Sequence, residues 1–151
     1  MLKEFEKIEC GVLSLKNFLD YVEGEDIHTE TYLKLFKEAL DKNKKELILK
    51  SRDTSFLLKL CREEGFSIVS QLTTKKLILD ESATLSTIKK LLKKGPVVIE
   101  VHGFFNLPVH VTLILKIEGE VATLHDPVSD ELRQIPLDKF IKEKNIVIGV
   151  K

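Results

Sequence analysis

The sequence predicts an α+β fold in which N-terminal helices pack on a C-terminal antiparallel sheet. Apolar residues recur at helical spacing through most of residues 10–64, whereas β-branched and alternating runs follow Gly95-Pro96. Glu118-Gly119-Glu120 separates two of these later runs and predicts a hairpin turn. Helices that come first and hairpin-linked strands that follow are typical of the α+β class.

Three helices are predicted in the first half, over residues 10–22, 29–40 and 53–64. In the first of them Val12, Leu15 and Leu19 recur at spacings of three and four, which gives one apolar face. Gly24 follows the first helix and Gly65 follows the third, so each glycine is predicted to end its helix.

The second half is predicted to alternate between strands and short helices. A helix over 84–94 carries an apolar stripe and is ended by Gly95-Pro96. A short helix or turn is expected over 136–142. Strands are predicted over 66–70, 77–79, 97–102, 110–117, 121–124 and 146–150.

Composition predicts one globular domain spanning residues 1–151. The chain has 43% hydrophobic and 32% charged residues, which suits a folded core. Its 24 basic and 24 acidic residues cancel, so no general attraction to nucleic acid or to anionic membranes is expected. No signal peptide or membrane-length apolar stretch is found, which predicts a cytoplasmic protein. Its two cysteines are expected to remain thiols there.

Cys10 is the first candidate for chemistry, because it stands where an irregular segment meets the first helix. Backbone N–H groups and the helix dipole at such a position favour a thiolate, which is the reactive form. Gly11 follows, so a substrate backbone could approach without meeting a side chain. The plainer alternative is that Cys10 is a small buried apolar residue.

His110 and Asp126 are the candidate partners of that thiol. His110 begins one strand of the predicted hairpin and Asp126 ends the other, so the two side chains are expected to lie close together. The strand alternation places His125 on the opposite face from Asp126. Taken alone, His110 could be an ordinary strand-edge histidine, and Asp126 before Pro127 could serve only the turn.

A metal site is the alternative for the histidines. His102, His110 and His125 could bind a metal with Glu100 or Asp126, but their spacing matches no zinc signature. No metal and no cofactor is therefore predicted.

Several segments, in order, resemble the bacteriocin-processing cysteine peptidases that remove double-glycine leaders. The matching segments are Cys10-Gly11-Val12-Leu13-Ser14-Leu15 with Tyr21, Leu91-Leu92-Lys93-Lys94-Gly95-Pro96-Val97-Val98, His110-Val111-Thr112-Leu113-Ile114, His125-Asp126-Pro127 and Pro136-Leu137-Asp138-Lys139-Phe140. The resemblance spans nearly the whole chain. It implies a papain-like cysteine peptidase fold with Cys10 as nucleophile, His110 as general base and Asp126 as the group that orients the histidine.

Glu4 is a departure from that family. The resemblance implies a glutamine six residues before the cysteine, where its amide donates to the oxyanion. An ionised carboxylate at this position only accepts hydrogen bonds and repels a developing oxyanion. Loss of one oxyanion donor costs on the order of a hundredfold or more in rate. Glu4 and Gly11 are thus the candidate oxyanion region, and Glu4 places cleavage in question.

Three functions follow as hypotheses. The first is a cysteine peptidase that hydrolyses extended peptides through Cys10, His110 and Asp126. The second is a peptidase-like domain that binds such peptides without cutting them, and the third is acyl transfer in the same cleft. A peptide or protein substrate is the expected partner. The family's transporter association implies that any transporter partner would act in trans, because this sequence has neither membrane nor ATPase segments.

Overall fold

The computed structural model describes residues 8–104 and 107–151, with side chains for all of these except 102–104 and 107–109. Four helices come first in the described part. Their bounds are Glu9–Glu23 (α1), Thr29–Lys42 (α2), Lys44–Leu49 (α3) and Thr54–Leu72 (α4). No helix of the described ranges is both long and apolar enough to cross a lipid bilayer.

A six-stranded antiparallel sheet fills the second half, which confirms the predicted α+β class. One further helix, α5 (Leu85–Leu92), separates the first two strands, and a 3₁₀ turn over Leu137–Lys139 precedes the last. The strands are Leu77–Ala83 (β1), Val97–Phe104 (β2), Leu107–Glu118 (β3), Val121–Asp126 (β4), Glu131–Pro136 (β5) and Asn145–Val150 (β6). Their order across the sheet is β1-β6-β2-β3-β4-β5.

The sheet carries a hydrophobic core on each face, because its side chains alternate between the faces. Val98, Val111 and Leu113 pack with residues of α1, α2 and α4 on the first face. The core on the second face includes Val97 and Ile114, together with residues of α5. We call these the helix-covered face and the α5 face, and the alternation lets any strand residue be assigned to one of them.

The prediction for residues 65–70 was wrong. Gly65 does not end a helix, and 66–70 is not a strand, because α4 continues without interruption to Leu72. Gly65 is buried, and a Cβ atom there would overlap the side chain of Leu15 on α1. The glycine therefore allows two helices to pack closely. In the sequence, such a glycine cannot be told from one that ends a helix.

Two elements were not predicted, the short helix α3 and the strand β5. Strand β5 lies at the edge of the sheet and is mostly exposed. An edge strand needs no continuous apolar pattern, so Glu131–Pro136 gives little periodic signal. The remaining predicted helices and strands occur with shifted ends. For example, α5 begins after Thr84, whose side chain accepts a hydrogen bond from the Thr87 N–H.

Candidate active site

The hairpin formed by β3 and β4 brings His110 and Asp126 together. Ile114 lies opposite Leu124 in this ladder, so the period of two places His110 and Asp126 on the same α5 face. His110 Nε2 lies 3.7 Å from Asp126 Oδ1, a distance that would form an ion pair with a protonated imidazole and that exceeds an N–H···O hydrogen bond. His110 is 1% exposed and Asp126 is 5% exposed, so the pair is shielded from water.

The turn after β4 fixes the Asp126 carboxylate. Its Oδ1 accepts from the Val128 N–H at 3.0 Å, and its Oδ2 accepts from the Ser129 hydroxyl at 3.1 Å. Arg133 on β5 adds a guanidinium Nε 3.4 Å from Oδ2. These contacts hold the carboxylate in one orientation without any contribution from His110. A group that orients an imidazole must itself be held in this way.

Cys10 lies at the start of α1, where the helix meets β3. The paired residues of β3 and β4 end at Leu113 and His125, two positions from Val111. At Val111 the first turns of α1 contact the strand. The Ser14 hydroxyl donates to the Val111 carbonyl at 3.1 Å, and the Val111 backbone lies near enough to the Cys10 sulfur to lower the pKa of its thiol. The thiol therefore lies beside the backbone of the residue that follows His110. The alternation that puts Val111 on the helix-covered face puts His110 on the α5 face, so the structure brings His110 and Asp126 together but leaves Cys10 on the other face of the sheet.

The protonation of the two groups differs from the sequence expectation. Burial raises the pKa of the Cys10 thiol and outweighs backbone hydrogen bonds at Val111, Gly11 and Cys10 itself, which lower it; the charge of Glu100 raises it further. Burial also lowers the pKa of His110, against the attraction of Asp126. Against the expectation of a thiolate at the helix N-terminus, burial favours a neutral thiol and a neutral imidazole.

Gly11 has a packing reason for its missing side chain. The residue is buried, and a Cβ atom there would lie 2.7 Å from Cys61 Sγ and 3.8 Å from a methyl of Val111. The space that the sequence left for a substrate backbone is thus filled by α4 and β3. Cys61 itself is buried, and burial raises the pKa of its thiol far above the usual range.

An ion pair beside the two thiols was not predicted. Arg62 on α4 donates from one guanidinium nitrogen to both carboxylate oxygens of Glu100, at 2.8 and 2.9 Å. The two side chains are only 12% and 8% exposed. They line a cavity of about 20 Å³, which also has Gly11, Cys61 and Val111 on its walls. The sequence signal was Glu100 itself, a charged residue within an apolar strand.

His125 lies apart from the His110–Asp126 pair. It is paired with Leu113 across the ladder, which puts it on the helix-covered face. Its Nδ1 lies 3.4 Å from the Tyr21 hydroxyl and its Nε2 lies 2.6 Å from Asp130 Oδ1. His110 and His125 therefore cannot share a metal across the sheet, and the described side chains contain no cluster of three metal-ligating residues.

Two predicted residues fall beyond what the structure describes. Glu4, the candidate for the oxyanion region, lies outside the described residues. The backbone of His102 belongs to β2, but its side chain is among those not described.

Comparison with known proteins gives one weak structural likeness. No protein-family model matches the chain, and no curated protein matches its sequence. Among solved structures, the chain is similar to the crystal structure of the Pseudomonas avirulence protein AvrPphB at a TM-score of 0.38 and 12% identity. The alignment covers 98% of this chain and 93% of that one. A likeness of this size decides neither the fold family nor the activity, so the chain is described as an α+β protein with a six-stranded antiparallel sheet.

Proposed function

We propose that this protein is a cysteine peptidase-like hydrolase of peptide bonds, with Cys10 as nucleophile, His110 as general base and Asp126 as the residue that orients His110. The observation that carries the proposal is the buried His110–Asp126 pair, which lies one residue from the backbone beside the Cys10 sulfur. A thiol, a base and a base-orienting group are the parts that acyl transfer to a cysteine requires.

The proposed reaction begins from neutral groups and requires the His110 imidazole to turn toward the helix-covered face, where Cys10 packs. His110 accepts the Cys10 proton as the sulfur attacks the peptide carbonyl, and a tetrahedral oxyanion forms. The carbon–nitrogen bond then breaks, the imidazolium gives its proton to the departing amine, and a thioester remains on Cys10. His110 then takes a proton from water as the water oxygen attacks the thioester. The second tetrahedral intermediate collapses, the acid product leaves, and the imidazolium returns its proton to the Cys10 sulfur. Proton transfer is thus concerted with attack, because burial disfavours a standing thiolate–imidazolium pair.

Alkylation of Cys10 by iodoacetamide, mapped by mass spectrometry over a range of pH, tests the proposal. Near neutral pH we expect the wild-type rate at Cys10 to exceed that of the His110→Ala variant by about a hundredfold, the lower end of general-base effects. Buried Cys61 is the internal control and should stay unreactive in both proteins. Equal Cys10 rates in the two proteins at every pH would refute the hydrolase.

A peptide-binding domain without hydrolysis is the second candidate. The raised pKa of Cys10 and the lowered pKa of His110 favour it, because both disfavour the ionised forms that speed thiol chemistry. The Glu4→Gln variant separates the two candidates when peptide cleavage is measured. Cleavage that appears only in this variant supports a binding domain whose oxyanion site is spoiled by the carboxylate, whereas cleavage by the wild type supports the hydrolase.

A further inference from the structure

A polar groove runs between α1 and the turn that follows β4. It has a volume of about 280 Å³ and opens to solvent, so it has room for one long side chain or several water molecules. Asn17, Asp20 and Tyr21 line it from one face of α1, since positions three and four apart on a helix are neighbours. His125 and Asp130 line it from the β4 side. The nucleophile and the His110–Asp126 pair are not among its walls.

The groove is anionic. Three carboxylates line it, from Asp20, Glu25 and Asp130, against the single ammonium of Lys16. Lys16 lies 2.9 Å from Asp20 and 3.4 Å from Asp26, so its charge is shared between two acids. Asp130 remains 82% exposed although His125 contacts it. The electrostatic potential in the groove therefore favours a cationic guest.

Asn17 is a separate sign that the groove takes a ligand. The residue is only 8% exposed, yet it lines the groove, and its carboxamide has no hydrogen-bond partner among the described residues. Its amide atoms are not fully buried, so they are open to a ligand in the groove. An oxygen acceptor held in this way beside carboxylates suits an N–H donor that carries positive charge.

Apolar surface borders the carboxylates. Tyr21 is 50% exposed and packs edge-on against His125 at a ring-centroid distance of 5.8 Å. Leu132 of β5 lies directly opposite His125 in the ladder, shares its face and is 63% exposed. A lysine or arginine side chain combines an apolar stem with a cationic head, so it matches a groove in which carboxylates lie beside the Tyr21 ring.

We infer that this groove binds a lysine or arginine side chain of an extended peptide substrate. The inference rests on the proposed function and names its substrate class. Asn17 lies seven positions beyond Cys10 on α1, two helical turns or roughly 10 Å. An extended strand rises about 3.3 Å per residue, so this span corresponds to roughly three residues of a peptide that reaches both Cys10 and the groove.

Peptide binding to the Cys10→Ala protein tests the inference without any cleavage. The probe is an acetylated, amidated alanine peptide with one central arginine, and its matched control carries neutral citrulline in place of arginine. Affinity is measured by NMR titration that follows the Tyr21 and His125 rings. We expect the arginine peptide to bind about tenfold more tightly, as a charge-assisted hydrogen bond permits.

Substitutions in the groove show which residues cause the difference in affinity between the two peptides. Asp130→Asn keeps a residue type that tolerates the left-handed backbone at this position (φ 57°), and Asn17→Ala keeps a good helix former. Each should remove most of the arginine preference, whereas Glu143→Gln, an exposed acid elsewhere, should preserve it. Equal affinity for the two peptides, or a preference that survives both groove variants, overturns the inference. Cys10 alkylation on the same preparations reports separately on the hydrolase.

Discussion

His110 and Asp126 are buried ionisable residues whose relative position depends on small local contacts. Asp126 is fixed by the turn residues Val128 and Ser129, and His110 is fixed by its place on β3. The imidazole presents Nε2 to the carboxylate, which leaves Nδ1 as the atom that accepts the thiol proton in the proposed reaction. The proposed reaction thus requires the tautomer with hydrogen on Nε2, which the nearby Asp126 carboxylate favours.

The Asp126→Asn substitution tests this dependence at the scale of one residue. Asparagine keeps the size of the side chain but can present an N–H to His110, which favours the wrong tautomer. We expect Cys10 alkylation near neutral pH to slow by about tenfold or more, toward the rate of His110→Ala. Ser129→Ala is the matched control, because it removes one hydrogen bond and leaves the carboxylate. The idea fails if both variants alkylate at the wild-type rate.

The contact between α1 and α4 shows that the packing of two helices depends on more than the spacing of their apolar residues. Two glycines on these helices, Gly11 and Gly65, lie where the partner helix approaches most closely. The apolar spacing that predicts each helix carries no information on how near the two axes come. Residues 65–70 were therefore read as a stop and a strand, although Ile68 and Val69 are core residues of one continuous helix.

The Gly65→Ala substitution measures that close approach. On an exposed helix the change would stabilise, because alanine is the better helix former. Here the added methyl overlaps Leu15, so we expect a loss of about 1–3 kcal/mol in the free energy of unfolding by urea denaturation. Leu15→Val should recover part of that loss in a double-mutant cycle, since it shortens the opposing side chain.

Ser70→Ala is the control on the exposed face of the same helix, and it should change stability by less than about 0.5 kcal/mol. If Gly65→Ala stabilises the protein instead, α1 and α4 do not approach as closely as the contact between Gly65 and Leu15 requires.

At the scale of the whole molecule, the sequence predicts the fold class and the pairing of His110 with Asp126 because both depend on local order. The hairpin turn at Gly119 determines which strands adjoin, and alternation determines which side chains share a face. The Arg62–Glu100 ion pair joins residues 38 positions apart on α4 and β2, and no local pattern specifies it. The same holds for the protonation of Cys10, because burial by distant elements outweighs the helix N-terminus.

The stability of the molecule is expected to depend on pH, because the fold buries ionisable groups of several elements in their neutral form. His110 has a lowered pKa in the folded state, so below its ordinary value of 6.5 the unfolded chain binds the proton more readily and stability falls. The thiols of Cys10 and Cys61 have raised pKa values, so above their ordinary value of 9.0 the unfolded chain loses protons more readily and stability falls again.

We therefore expect the free energy of unfolding by urea to be greatest between about pH 6.5 and pH 9, the ordinary values of these groups. His110→Gln should flatten the decline just below pH 6.5, because glutamine does not titrate. Ser70→Ala, an exposed substitution that removes no titratable group, is the control and should keep the wild-type slope. Cys61→Ala should flatten the decline above pH 9 in the same way. Parallel curves for the wild type and His110→Gln on the acid side would mean that His110 is not held neutral by the fold.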